Sequence, residues 1–232
     1  MSVDIFIYEV RDALAAMECP LCRADRIDQH RWMETFAREG HRDPGARRSF
    51  VSAGGFCGSH ARLFSAVAEE RQARQVVASV YRSLVDDDLL RLGAIAGTAR
   101  RPRRPKSWLR WRRSVCPACH AREEASERKL YFLCEALADP SFRREYERSG
   151  GLCASHTLAA IAKTGKRGEL QRRFLVADWQ RRLIKLRDGL IEFDRKRDHR
   201  YSTEPKGDEQ RSPLEALHHF AGSADSSPSG GA

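Results

Sequence analysis

The amino-acid sequence predicts an all-α protein built from two homologous helical half-repeats. Three observations lead to this prediction. Apolar residues recur at helical spacing in several segments. No segment combines two-residue alternation with enrichment in β-branched side chains, so no strand is predicted. A pattern of cysteine, proline, glycine and histidine occurs twice, about 97 residues apart, which indicates an internal duplication.

The helical segments are defined by apolar stripes. The first stripe leads into the first cysteine pair, a second follows the first histidine, and the longest lies in the C-terminal half. Their members are Phe6, Val10, Leu14 and Met17, then Ala73, Val77, Val80 and Leu84, then Leu175, Trp179, Leu183, Leu186, Leu190 and Phe193. Asp-Pro pairs at 43–44 and 139–140 separate helices, because the residue before proline resists the helical conformation. Ser212, Pro213 and Glu215 predict a capped start for one more helix.

The duplicated pattern reads CPxC, then Asp-Pro, then Gly-Gly and a CxSH motif. The first copy is CPLC at 19–22 and CGSH at 57–60, with 34 residues between Cys22 and Cys57. The second is CPAC at 116–119 and CASH at 153–156, with 33 residues between Cys119 and Cys153. Six of the seven cysteines therefore belong to a regular pattern.

These landmarks resemble an uncharacterised bacterial family, domain of unknown function 6062, which carries the same CPxC, DP and GxCxxH features in tandem. The resemblance covers roughly residues 5–221. The stretch DHRYSTEPKGDEQ also resembles the family's C-terminal motif, with Asp198, Arg200, Glu204, Pro205, Gly207 and Glu209 in place. The resemblance implies the tandem architecture and no particular activity.

The spacing of the motif favours metal binding. In CPxC a helical turn lets two sulfurs converge, and in CxxH the positions i and i+3 lie on one helical face. Three cysteines and one histidine form a usual tetrahedral zinc set. We therefore predict two sites, one in each half-repeat: Cys19, Cys22, Cys57 and His60 in the first, and Cys116, Cys119, Cys153 and His156 in the second. Zinc is preferred to an iron–sulfur cluster, which more often takes four cysteines.

Two other interpretations of the cysteines stay open. The CPxC pairs could be redox dithiols, although such a dithiol follows a strand and has no need of a CxxH partner. Cysteine can also be a plain buried apolar residue. We assign Cys134 this way, because Leu130 and Leu137 share its helical face. His30 and His120 lie near the motifs and are candidates to support the ligands.

The sequence divides into an N-terminal metal-binding repeat (1–99), a basic linker (100–113), a C-terminal repeat (114–199) and a tail with a short helix and a disordered end (200–232). The linker carries eight of the basic residues and no acidic one, in a chain of net charge +10. Its cations and tryptophans could hold nucleic acid, lie on an anionic membrane surface, or be a solvated connection. The candidate nucleic-acid residues are Arg101, Arg103, Arg104, Trp108 and Arg112.

Composition narrows the function further. The N-terminus has no basic segment followed by an apolar one, and no stretch approaches 18 apolar residues, so a cytoplasmic protein without a transmembrane segment is expected. No phosphate-binding glycine loop, Ser-His-Asp order or HExxH motif occurs. We expect a non-enzymatic binding or adaptor protein with two zinc ions and an unknown protein or nucleic-acid partner. The alternative is an iron–sulfur or thiol redox protein.

Overall fold

The computed structural model describes residues 8, 10–15, 18–95, 115–165, 168–201 and 203–222, and this part of the chain contains helices and no strand. The all-α prediction is therefore confirmed. Residues 10–14 are helical, and the helices after them are α1 (Pro20–Arg38), α2 (Pro44–Ser52), α3 (Gly58–Glu70), α4 (Arg74–Ile95), α5 (Pro117–Ala136), α6 (Pro140–Arg148), α7 (Ala154–Thr164), α8 (Glu169–Arg195) and α9 (Ser212–Ala221). None of these helices is both long and apolar enough to cross a membrane.

The two Asp-Pro pairs start helices in the predicted way. The Asp43 carboxylate accepts a hydrogen bond from the backbone N–H of Ala46 at 2.6 Å, and Pro44 is the first residue of α2. Asp139 does the same for α6, where the Ser141 N–H donates to it at 2.8 Å. Proline costs nothing at this position because the first N–H groups of a helix have no partner within it.

The chain separates into two compact units that do not follow the order of the sequence copies. The first unit comprises the described residues of Met1–Arg26 and Ser126–Ala232, and the second those of Ile27–Ala125. The sequence-based division into 1–99 and 114–199 follows the two motif copies, whereas each compact unit combines chain from both divisions. The linker 100–113, with all five candidate nucleic-acid residues, lies outside the described residues, as do Phe6 and Met17.

The core of the first unit is mainly aliphatic. Its fully buried members include Leu21, Leu133, Leu137 and Leu175, and Cys19 and Cys153 belong to the same cluster. Cys134 is buried with them, at 6% exposure, and its thiol lies 3.7 Å from the Ala160 carbonyl oxygen. The prediction that Cys134 is a core residue is confirmed.

The core of the second unit is aromatic. Its rings lie with centroids 4.8–6.0 Å apart, mostly edge to face, an arrangement that adds to the free energy gained from burial. The rings belong to Trp32, Phe36, Phe50, Phe56, Phe64 and Tyr81. Val80 of the predicted stripe on α4 is buried beside them together with Val76, whereas Ala73, Val77 and Leu84 of the stripe are partly buried.

The C-terminal motif folds around a buried carboxylate. Glu209 accepts hydrogen bonds from the Gly207 N–H at 2.8 Å and from Lys196 Nζ at 3.1 Å, and Lys196 also donates to the Pro205 carbonyl at 2.7 Å. A Cβ at Gly207 would lie 2.8 Å from the Glu209 carboxylate, so a larger residue there would force this carboxylate to shift. Pro205, Gly207 and Glu209 of the family-like motif therefore anchor the chain between α8 and α9.

The predicted capping of the last helix is wrong in one detail. Helix α9 begins at Ser212 itself, with Arg211 at the capping position, and no side chain caps its first turn. Ser212 is instead buried against Gly189 of α8, where an added Cβ would lie 2.2 Å from the Ser212 hydroxyl oxygen. Ser212 therefore contributes to the packing of α9 against α8 and does not cap the helix.

Candidate metal centres

The structure brings all eight predicted ligands together as two groups of four. Site 1 consists of Cys19, Cys22, Cys153 and His156, and site 2 consists of Cys57, His60, Cys116 and Cys119. In each group the four donor atoms lie within 4.8 Å of one another. Site 1 belongs wholly to the first unit and site 2 wholly to the second. Each group could hold a metal ion.

The predicted grouping, with one site per half-repeat, is wrong. Each site takes its CPxC pair from one copy of the motif and its CxxH pair from the other. The reason is the length of the helix after each CPxC. Helix α1 has 19 residues, and at about 1.5 Å per residue it carries the chain roughly 24 Å beyond Cys22 before it ends. Cys22 belongs to the first compact unit, whereas Cys57, which follows α1 in the chain, belongs to the second.

In site 1 the histidine ring nitrogen Nδ1 faces all three sulfurs. The distances from His156 Nδ1 are 3.4 Å to the Cys19 Sγ, 3.4 Å to the Cys22 Sγ and 3.3 Å to the Cys153 Sγ. The Cys22 and Cys153 sulfurs are 3.7 Å apart, far longer than a disulfide bond of about 2.05 Å. All seven cysteines are free thiols.

Site 2 repeats this geometry. His60 Nδ1 lies 3.2 Å from the Cys57 Sγ, 3.7 Å from the Cys116 Sγ and 3.3 Å from the Cys119 Sγ. The Cys57 and Cys119 sulfurs are 3.7 Å apart. A zinc tetrahedron with Zn–S near 2.3 Å and Zn–N near 2.05 Å has edges of about 3.8 Å between sulfurs and about 3.6 Å from sulfur to nitrogen. The distances in both sites are close to these edges.

Local backbone structure prepares each pair of ligands. Pro20 begins α1 directly after Cys19, and the Arg23 N–H donates to the Cys19 carbonyl at 3.0 Å. The residue before each CxxH helix is its cysteine, held extended with φ of −66° at Cys57 and −68° at Cys153. Gly55 precedes this turn with φ of +91°, which glycine adopts readily because it has no Cβ.

The histidine of each group faces a polar side chain with its other ring nitrogen. His60 Nε2 lies 2.8 Å from the Gln29 amide oxygen, so Nε2–H donates and Nδ1 is left to face the sulfurs. His156 Nε2 lies 4.0 Å from an Asp25 carboxylate oxygen, and Lys129, 1% exposed, lies 3.6 Å from that carboxylate. Sequence reasoning missed all three supporting residues. A polar side chain one to two turns after Cys22 on α1 was the available signal for Asp25 and Gln29.

Electrostatics in the metal-free sites favour one thiolate and penalise a second. Hydrogen bonds from Cys19 and Cys22 hold the pKa of Cys153 far below its usual range, and the same contact with Cys153 raises the pKa of Cys19. In site 2, burial opposes ionisation of Cys57, but hydrogen bonds from the Ser59 hydroxyl and the His60 N–H lower its pKa to about 6. Burial raises the pKa of Cys119 to about 12.

These pKa shifts indicate that the three sulfurs of a site need a positive charge between them before all can ionise. Three thiolates within one tetrahedron repel each other unless a positive ion stands between them. The imidazole of His156 partly serves in that role, because, against the effect of burial, the neighbouring Cys153 and Cys22 raise its pKa to about 10. A divalent metal ion would displace these protons and neutralise the sulfurs at once.

A family model described as a family of unknown function (DUF6062) matches residues 1–226. The chain belongs to the DUF6062 family. No curated protein and no solved structure matches it. The two Cys/His groups are therefore the features of this DUF6062 chain that bear most on its function.

Other histidine and acidic residues of this DUF6062 chain do not join the sites. His30 faces Glu34 and Glu70, with its Nε2 at 3.4 Å from the Glu70 carboxylate, and His120 faces Glu124 at 3.7 Å, so neither supports a ligand as predicted. Asp87 pairs with Arg91 at 2.6 Å on α4. His219 accepts a hydrogen bond from Trp179 at 3.0 Å. The described residues contain no third group of metal-ligand type.

Proposed function

We propose that this protein is a non-enzymatic helical binding or adaptor protein in which zinc stabilises each compact unit. The observation that carries the proposal is a closed set of four donors in each site, at separations that suit one ion. Structural zinc sites use four protein ligands, whereas catalytic sites keep a position open for water or substrate. The eight cysteine and histidine residues are the proposed ligands.

Zinc is preferred to an iron–sulfur cluster on the same distances. The ligands of a multi-iron cluster bind different iron atoms and so stand further apart than the ligands of a single ion. Sulfur separations of 3.7 Å in both sites suit a single ion. Two cysteines at the start of a helix also suit a redox dithiol, but each pair here has a third sulfur and an imidazole within reach, which favours the metal.

Structural zinc also explains why the ligands come from distant parts of the chain. Site 1 joins the first turn of α1 to the start of α7, and Cys22 and Cys153 are 131 positions apart in the chain. Metal binding across such a separation contributes directly to the free energy of folding. A stabilised helical body with no catalytic motif is suited to binding a partner.

A second candidate function is nucleic-acid binding through residues 100–113, favoured by eight basic residues and no acidic one in that segment. We expect binding to oligonucleotides to weaken with salt at a log–log slope of roughly −0.7 to −0.9 per phosphate contact. Replacing Arg101, Arg103, Arg104 and Arg112 with glutamine should flatten the slope by several contacts. Trp108→Ala should reduce preference for single strands. Fluorescence anisotropy that shows no binding at low salt would remove this candidate.

Metal analysis tests the zinc proposal. The full-length protein, purified without oxygen, should be colourless and contain two zinc ions per chain by elemental mass spectrometry. X-ray absorption at the zinc edge should fit three sulfurs near 2.3 Å and one nitrogen near 2.05 Å. A brown protein containing iron and inorganic sulfide would contradict the zinc proposal and favour the cluster. A metal-free folded protein would contradict both.

A further inference from the structure

The two sites have the same ligands but differ in how far their sulfurs are shielded from solvent. In site 1 Cys19 and Cys153 are buried, at 6% and 2% exposure, within the aliphatic core. In site 2 all three cysteines are partly exposed, and only His60 is buried, at 3%. Access to small oxidants therefore differs between the sites, because susceptibility of a thiolate follows its exposure.

The remaining sulfur of site 1, that of the partly exposed Cys22, lies beside the end of α9. Gly222 is buried directly after this helix, and a Cβ there would lie 3.3 Å from the Cys22 Sγ. Helix α9 is itself held against α8 by the Gly189–Ser212 contact and by the hydrogen bond from Trp179 to His219. Two of the three sulfurs of site 1 are thus held in the core, and the third lies beside an anchored helix end.

The histidines do not follow the sulfurs: the His156 side chain is 19% exposed, whereas His60 is buried at 3%. Beyond His156 lie the Asp25 carboxylate, with 13% of its side chain exposed, and the buried Lys129. Behind His60 lies the neutral amide of Gln29. The contacts inside the two sites, by contrast, are alike: Ser59 and Ser155 place hydroxyl groups 3.4 Å and 3.3 Å from the equivalent sulfurs. The shielding of the sulfurs from solvent is therefore the main difference between the sites.

We propose that site 2 is an oxidation-sensitive zinc site, which releases its ion when a peroxide oxidises Cys57 and Cys119 to a disulfide, whereas site 1 keeps its ion. This inference rests on the proposed zinc function and adds its regulation. The two sulfurs are already 3.7 Å apart and need to approach to about 2.05 Å. Losing two of four ligands leaves Cys116 and His60, which are too few to retain the zinc.

The chemistry balances with peroxide as the oxidant. One thiolate sulfur attacks a peroxide oxygen, the O–O bond breaks, and a sulfenic acid and hydroxide form. The second thiolate attacks the sulfenic sulfur, the S–S bond forms, and the S–O bond breaks to release a second hydroxide. Two protons from solvent convert the hydroxides to water. The two thiolates lose two electrons and hydrogen peroxide gains them.

The test uses the full-length zinc-loaded protein with the substitution Cys134→Ala, which removes the non-ligand thiol. Hydrogen peroxide is added and zinc release is followed with a chromogenic chelator. Remaining thiols are then alkylated after denaturation and mapped by peptide mass spectrometry. We expect one of the two zinc ions to leave about tenfold or more faster than the other, with a Cys57–Cys119 disulfide and free thiols at Cys19, Cys22 and Cys153.

Two single-site variants serve as matched controls. Cys153→Ser retains only the site 2 zinc and should release it at the fast rate. Cys57→Ser retains only the site 1 zinc and should show only the slow rate. Equal release rates from both sites, or a Cys22–Cys153 disulfide formed first, would overturn the inference while leaving the zinc proposal intact. A starting protein without two zinc ions would instead contradict the zinc proposal and this inference together.

Discussion

The two compact units hold the same four-ligand set in different surroundings. The second unit packs its site beside a cluster of six aromatic rings, and the first packs its site within an aliphatic core that also buries Lys129 and Asp178. Ligand-to-ligand distances nevertheless agree within a few tenths of an ångström. The motif therefore determines the distances between the ligand atoms, whereas the surrounding core determines how far the sulfurs are shielded and what supports them.

The support of the Gly-Gly turn shows this difference most clearly. In the first unit Arg182 donates to the carbonyl oxygens of Tyr146 and Ser149 and pairs with Asp178 at 2.7 Å, so a rigid polar network lies against Gly151. In the second unit the corresponding Gly55 lies against the end of the Leu84 side chain. A polar network and an apolar contact thus hold equivalent turns.

The largest effects are expected from removing a ligand. Cys153→Ala and Cys57→Ala should each remove one metal ion, and each should lower the free energy of unfolding of its own unit by more than about 4 kcal/mol. Hydrogen exchange should rise in residues 126–222 for Cys153→Ala and in residues 27–95 for Cys57→Ala. Exchange that rises equally in both regions for either variant would show that the units do not hold their sites separately.

The turn glycines give the next largest effect. Gly55→Ala places a side chain at φ of +91°, where L residues lose about 1–2 kcal/mol, and its neighbour Leu84 can move. Gly151→Ala carries the same penalty and would also bring a Cβ within 2.6 Å of Arg182 Nε, which the polar network holds in place. Denaturant unfolding should therefore show Gly151→Ala as the more destabilised variant. Equal losses would contradict the contrast between polar and apolar support.

The pH dependence of metal affinity should also separate the sites. At neutral pH Cys57, with its pKa near 6, is already ionised, whereas Cys119, with its pKa near 12, must lose a proton to bind metal. In site 1 both Cys19, whose pKa is raised, and His156, with its pKa near 10, must lose one. Protons compete with the metal, so affinity falls as pH falls, by about tenfold per pH unit for each proton released.

Site 1 should therefore have the steeper dependence. Competition with a chelator at several pH values, on Cys57→Ser for site 1 and on Cys153→Ser for site 2, measures the two slopes. A steeper slope for site 2 would contradict the assignment of protonated groups.

The smallest effect is expected at Cys134. It is buried in the first unit and belongs to neither group of ligands, so Cys134→Ala should leave metal content unchanged and cost roughly 1 kcal/mol of stability. Elemental analysis and thermal unfolding measure both quantities. Loss of a metal ion in this variant would mean that the ligand set of site 1 is incomplete.

The sequence predicted the elements and the ligand residues, but not which pairs meet. A spacing of three residues places Cys57 and His60 on one helix start, and this local inference depends only on helical geometry. The pairing of Cys22 with Cys153 depends instead on where long helices carry the chain, and the periodicity of a sequence does not contain that information. Lys129 was missed because a lysine in a charged helix gives no sign in the sequence that it is buried.

Two double variants test directly whether the motif copies exchange their ligand pairs. Cys22→Ser with Cys153→Ala removes two ligands of site 1, so the protein should retain one metal ion per chain. Cys22→Ser with Cys57→Ala removes one ligand from each site, so it should retain none. Pairing within each copy predicts the reverse. One metal ion per chain in the Cys22/Cys57 variant and none in the Cys22/Cys153 variant would contradict the exchange of ligand pairs between the copies.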